Sequence, residues 1–302
     1  MRRVALAGLV ALLGVLPVAT AQVVVVHATD ILIFVLFALS LNLLVGYAGM
    51  LSLGHAAFFA IGGYGAGLLV KHLGFAMPLA LAAGPVFAAL AAGVIGFFCV
   101  RLSHAYFIML SLAFGQLVFT VIWKWQSVTG GDDGLTGIMP LASLAGSSSY
   151  YYFVLLVVLA SVGVLHRIGQ SPFGRALLAI KDNPRRAAFV GIHVRRVQLV
   201  AFIVAGTFAG VAGALQVFFH RGMFPGSAHW ITSADAFVAV TLGGANYFAG
   251  PILGATLFKI VALVVPRFTE YWLFFLGAAI LLVALVKPEG LLSLIRRPAA
   301  ER

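Results

Sequence analysis

Polar side chains are scarce in this 302-residue chain, so the few that interrupt its apolar stretches carry most of the chemistry open to it. Asn42, Ser52, His55, Ser111, Gln116 and Thr207 stand inside long oily segments. All six are hydrogen-bonding types, and together they are the only pool from which a path for a polar solute could be drawn. Each has a plainer reading, a bond to a neighbouring helix, and an isolated histidine such as His55 is more often a satisfied packing group. No catalytic set can be assembled. There is no GxxxxGK[ST] phosphate loop and no HExxH pair, and the single cysteine, Cys99, excludes an internal disulfide and a cysteine-paired metal site. The eight acids (Asp30, Asp132, Asp133, Asp182, Asp235, Glu270, Glu289 and Glu301) read as loop or span-end residues. A carrier driven by ions keeps a carboxylate near mid-membrane, so this pattern points to a path powered from elsewhere.

The elements that must position those side chains follow from composition. The chain is 63% hydrophobic and 9% charged, with mean hydropathy +1.11, which is far too oily for a soluble surface. Apolar segments fall near 4–26, 31–48, 54–70, 77–100, 102–122, 150–166, 198–220, 233–249, 250–266 and 271–287, each near the length that crosses a bilayer. The expectation is an all-α polytopic membrane protein of about ten spans (eight to ten), forming one domain over 1–302. At the N-terminus, Met1-Arg2-Arg3, an apolar run and Ala19-Thr20-Ala21 have the outline of a cleavable signal. The run continues to Val26, which favours a retained first helix.

The net charge of +11 could suit nucleic acid, but in a membrane protein positive charge mostly sets orientation. Ten crossings put both termini and residues 167–197 on one side. That side would hold fourteen of the nineteen lysines and arginines, so it is expected to be cytoplasmic. Residues 123–149, including TGGDDGLTGI at 129–138, become an external loop whose acid spacing does not match a calcium-binding hand. The glycine-rich stretches at 45–67 and 240–258 look like interrupted helices at corresponding places of an inverted repeat. Close packing through small residues explains single glycines equally well. Lys259, inside the ninth expected span, lies within ~10 Å in depth of Asp235 in the eighth, so the two are expected to pair.

The densest charge is a cytoplasm-facing elbow. Residues 167–196 contain Arg167, Arg175, Lys181, Arg185, Arg186, Arg195 and Arg196 against one acid, Asp182. Ser171-Pro172 and Asn183-Pro184 each put a capping side chain before a proline suited to a first helical turn, and Gly191 supplies a stop. A structured basic elbow suggests a docking surface for a soluble partner.

Four segments in order, ALSLNLLVGYAGMLSLGHAAFFAIGGYGAGLL (38–69), TGGDDGLTGI (129–138), SPFGRALLAIKDNPRRAAFVGI (171–192) and GGANYFAGPILGATL (243–257), resemble the permeases of branched-chain amino acid ABC importers. The resemblance spans nearly the whole chain and is of the Liv type. It implies a bacterial inner-membrane subunit with no cofactor, a second, related permease, two ABC ATPases beneath, a periplasmic or extracellular substrate-binding protein, and no nucleic-acid partner. It also implies that Gly174, Arg175, Asp182, Arg185, Arg186 and Gly191 belong to the segment that couples to the ATPase. Where the family commonly carries acids before the glycine of this elbow, this chain has Arg185 and Arg186, which implies a contact of altered charge. Urea and short amides are related substrates. A self-sufficient carrier or channel and a membrane-embedded enzyme are the rival classes, the latter disfavoured by the missing acid–base cluster.

Overall fold

The computed structural model describes residues 13–102, 104–269, 271, 274, 277, 278 and 290–294. Helix α1 covers Gln22–Asn42, continues as a π-helical turn over Leu43–Ala48, and breaks at Gly49, whose φ is +67°. The chain turns back through 50–54 and enters α2, His55–Leu73. Then follow α3 (Met77–Cys99), α4 (His104–Lys124) and α5 (Ser147–Gln170). The elbow is two helices, α6 (Pro172–Asp182) and α7 (Pro184–Phe189). Helix α8 (Val194–Phe219) returns, and a hairpin of α9 (Trp230–Gly243) and α10 (Gly250–Val264) follows.

Among the described residues, seven helices are long and apolar enough to cross a membrane. The eighth expected span departs from expectation. Helix α9 has 14 residues, roughly 21 Å at about 1.5 Å per residue, too short for a hydrocarbon core of about 30 Å. Gly243 and Gly244 end it early, and α10 folds back with Gly250 and Gly254 against its backbone. The expected boundary between the first two spans also moves. His27 and Asp30 read as punctuation, yet the helix runs unbroken from Gln22 through both. Asp30 is eight residues in, about 12 Å along the axis, and a lysine described below neutralises it there. One acid thus sits within a span, where the sequence pattern had left none. The tenth expected span, 271–287, lies outside the described residues except for Tyr271, Phe274, Gly277 and Ala278, as does the first beyond its residues from 13 onward.

Helix α8 is the centre of the bundle, packed against α1, α2 and α3. Small residues allow the approach: Gly210 lies on Gly62, Gly206 on Ala92, and Gly213 on the Phe59 carbonyl. In lipid there is no hydrophobic drive between helices, so close backbone contact supplies the association. The loop between α4 and α5 is ordered. Its strand β1 (Leu135–Thr136) pairs antiparallel with β2 (Gly222–Met223), and the Trp123 indole N–H donates to Asp132 Oδ1 at 3.1 Å.

Candidate functional site

The break between α1 and α2 gathers Asn42, Ser52 and His55, all fully buried. Buried polar atoms usually have partners, and some of these do. His55 Nε2 and Ser40 Oγ lie 2.8 Å apart, and the hydroxyl also donates to the Phe37 carbonyl. The imidazole is stacked on Phe37 at 5.3 Å and meets Phe58 edge-on. From across the bundle, Ser233 Oγ on α9 accepts from the Ala56 N–H at 2.8 Å, serving one of the orphan donors at the start of α2. Asn42 Oδ1, Ser52 Oγ and His55 Nδ1 have no partner among the described residues. This is an unusual concentration of unmet hydrogen-bonding capacity at one helix break.

The other path candidates are distributed differently. Ser111 is buried on α4, donates to its own helix at the Ile108 carbonyl, and presents its backbone to Gly54 of the same break. Gln116 is half-buried one turn on. Thr207 lies apart: its hydroxyl bonds the Ile203 carbonyl and it lines an apolar groove between α3 and α8. Nothing polar joins it there, so it behaves as a helix-packing threonine.

The elbow residues fall into two groups. Gly174 is buried in the corner between α5 and α6, where a Cβ would collide with the Ile168 and Gly169 carbonyls. Ser171 Oγ accepts from the Gly174 N–H at 3.3 Å, and Asn183 Oδ1 from the Arg186 N–H at 3.0 Å, so both elbow helices are capped by their own sequence. Leu177 and Ile180 join Gly174 on the face turned to the bundle. Arg175, Asp182, Arg185 and Arg186 face outward, and Gly191 ends α7 at φ +87° in open space. Beside them Phe189 is 93% and Val190 73% exposed, an apolar knob on a charged surface. Sequence reasoning passed these two over because they read as ordinary helix residues.

It counted Lys181 among the elbow charges but gave it no role of its own. From the last turn of α6 its ammonium donates to the Gly46 carbonyl at 2.8 Å and to Asn246 Oδ1 at 2.9 Å. Gly46 lies in the π turn after α1, and Asn246 in the link between α9 and α10. One side chain therefore joins the elbow to both interrupted helices. Gly49 permits it, because a Cβ there would stand 3.0 Å from Lys181 Cγ. Partial burial draws the Lys181 pKa below its ordinary value, and neighbouring Asp182 opposes the shift.

At the other end of α1 the expected Lys259–Asp235 pair is replaced. Lys259 Nζ donates to Asp30 Oδ2 at 2.7 Å and lies 4.8 Å from the Phe34 ring centre. His220 Nε2 stands 3.9 Å from the other Asp30 oxygen. Depth along the membrane allowed both pairings. The side of α10 that carries Lys259 selects α1.

A multi-span helical bundle with interrupted helices, small-residue packing and a capped polar elbow defines a membrane permease component. Residues 23–284 match the family model described as "Branched-chain amino acid transport system / permease component". The chain belongs to this family, whose members are transport components rather than enzymes. It is 29% identical to the "High-affinity branched-chain amino acid transport system permease protein LivM" of Escherichia coli K12, over 89% of this chain and 70% of that protein. The LivH permease of the same strain is 26% identical, over 89% and 93%. The "Probable branched-chain amino acid transport permease protein LivM" of Methanocaldococcus jannaschii is 24% identical, over 86% and 90%. No solved structure matches.

Proposed function

We propose that the chain is the permease subunit of an ABC importer for branched-chain amino acids, with residues 167–197 as the segment through which two ATPases drive it. The observation that carries the coupling role is Lys181, a single ammonium on the elbow bonded to both interrupted helices. A push on α6 and α7 reaches the α1–α2 break and the α9–α10 link without an intermediary. The knob of Phe189 and Val190, flanked by Arg185 and Arg186, gives a soluble partner an apolar anchor ringed by charge. The lysine and arginine asymmetry supports an elbow and termini on the cytoplasmic side of a bacterial inner membrane. Kinship to both LivM-named and LivH-named permeases supports a heteromeric pore, with substrate supplied by an external binding protein. Buried Asn42, Ser52 and His55 form the candidate path, with Ser111 beside them.

The test is reconstitution into liposomes with its candidate permease partner and ATPases. Leucine uptake should require the ATPases and ATP. Uptake by the permeases alone would make the chain a self-sufficient carrier, and uptake of urea or short amides with leucine excluded would move the substrate class.

A further inference from the structure

Coupling leaves the charged groups at the far end of α1 without a purpose. Asp30, Asp235 and Lys259 line one cavity of about 300 Å³. Its apolar wall includes Phe34, Phe37 and Phe258, each at most 9% exposed, with Phe34 stacked on Phe258 at 5.5 Å. Small-molecule sites run from roughly 300 to 1,000 Å³, so this one suits a single small solute and not a peptide.

An interhelical clasp needs two opposite charges, and Asp30 with Lys259 already supplies them. The cavity holds more than a clasp. Asp235 makes no hydrogen bond or ion pair within 4 Å among the described residues, so although the charge of Lys259 reaches it, its oxygens are left open to a ligand. An open carboxylate, an ammonium already drawn to one side and an aromatic wall are the complements of an amino group, a carboxylate and an apolar side chain. Phe37, one of the residues lining the cavity, also stacks on His55 of the buried polar break.

Resting on the permease reading above, we propose that this cavity is a transient site for a free zwitterionic amino acid with an apolar side chain. Asp235 takes the ammonium, Lys259 takes the carboxylate, and Phe34, Phe37 and Phe258 take the side chain. While the cavity is empty Asp30 holds Lys259, so no lysine charge is left unpaired in an apolar setting. When a substrate carboxylate engages Lys259, His220 Nε2 remains 3.9 Å from Asp30.

The test is binding to the purified permease in mild detergent, using three probes of one carbon skeleton: L-leucine, 4-methylpentanoate (no ammonium) and 3-methylbutylamine (no carboxylate). Leucine should bind best, and each truncated probe should bind at least about tenfold more weakly. Asp235→Asn should weaken leucine binding by about tenfold while leaving the melting temperature in place. Because Lys259→Met alone could unfold the protein, it is read in the Asp30→Asn/Lys259→Met pair, which should fold and lose leucine. Equal binding of the three probes, or unchanged leucine binding in Asp235→Asn, would overturn the site. So would a permease that binds no leucine yet transports it with ATP in the full complex, and in that case the permease reading stands. A full complex that never transports leucine would remove the permease reading and this site with it.

Discussion

Two lysines sit between helices on the order of 20 Å apart along α1, and they keep different company. Lys259 faces a carboxylate; Lys181 faces a backbone carbonyl and a side-chain amide. An ion pair in a half-buried setting is held by charge and is costly to split one-sidedly. Hydrogen bonds from an ammonium to neutral oxygens are individually modest, and water can replace them. The first arrangement suits a joint that holds α1 to α10. The second suits a joint that lets go, which is what the proposed coupling role of the elbow needs.

The contrast can be broken most forcefully at Lys259. Lys259→Met leaves Asp30 without its lysine, and a loss of about 2–3 kcal/mol in stability is expected, below the 3–5 kcal/mol of a fully buried pair because both groups keep some exposure. Asp30→Asn in the same molecule should restore most of it in a detergent melt. Equal instability of the single and double variants would show that the pair is not the joint. At Lys181 a smaller effect is expected, about 1–2 kcal/mol for Lys181→Met, since two neutral acceptors lose a donor. Its main consequence should be functional: ATP hydrolysis continues while leucine transported per ATP falls. An unchanged ratio would remove Lys181 from the coupling route. The smallest stability effect, within about 0.5 kcal/mol, is expected for Arg185→Glu with Arg186→Glu, because both are exposed. These should weaken ATPase docking at low salt, and the deficit should shrink as salt screens the contact. A deficit independent of salt would instead assign docking to Phe189 and Val190.

The sequence was most legible where its signals are local or compositional. Ser171, Pro172, Asn183 and Pro184 specify the elbow helices because a cap and the residue it serves are three positions apart. Apolar length locates the spans because the bilayer imposes a fixed thickness. The same logic misread Asp30 as a boundary, since a one-dimensional pattern cannot reveal that a residue 229 positions later neutralises it. It also overestimated the span at 233–249, where paired glycines turn the chain back before it crosses.

What the sequence by itself determined, then, is that this chain lies in a membrane, that its charge is concentrated in a capped elbow, and that its motifs are those of a permease. Tertiary structure alone decided which helix Lys259 faces, that Lys181 reaches both interrupted helices, that Thr207 stands away from Asn42, Ser52 and His55, and that four phenylalanines line a charged cavity. The physical reason is that hydropathy and charge report how deep a residue sits. Which direction it faces around its helix axis is fixed only when the helices pack.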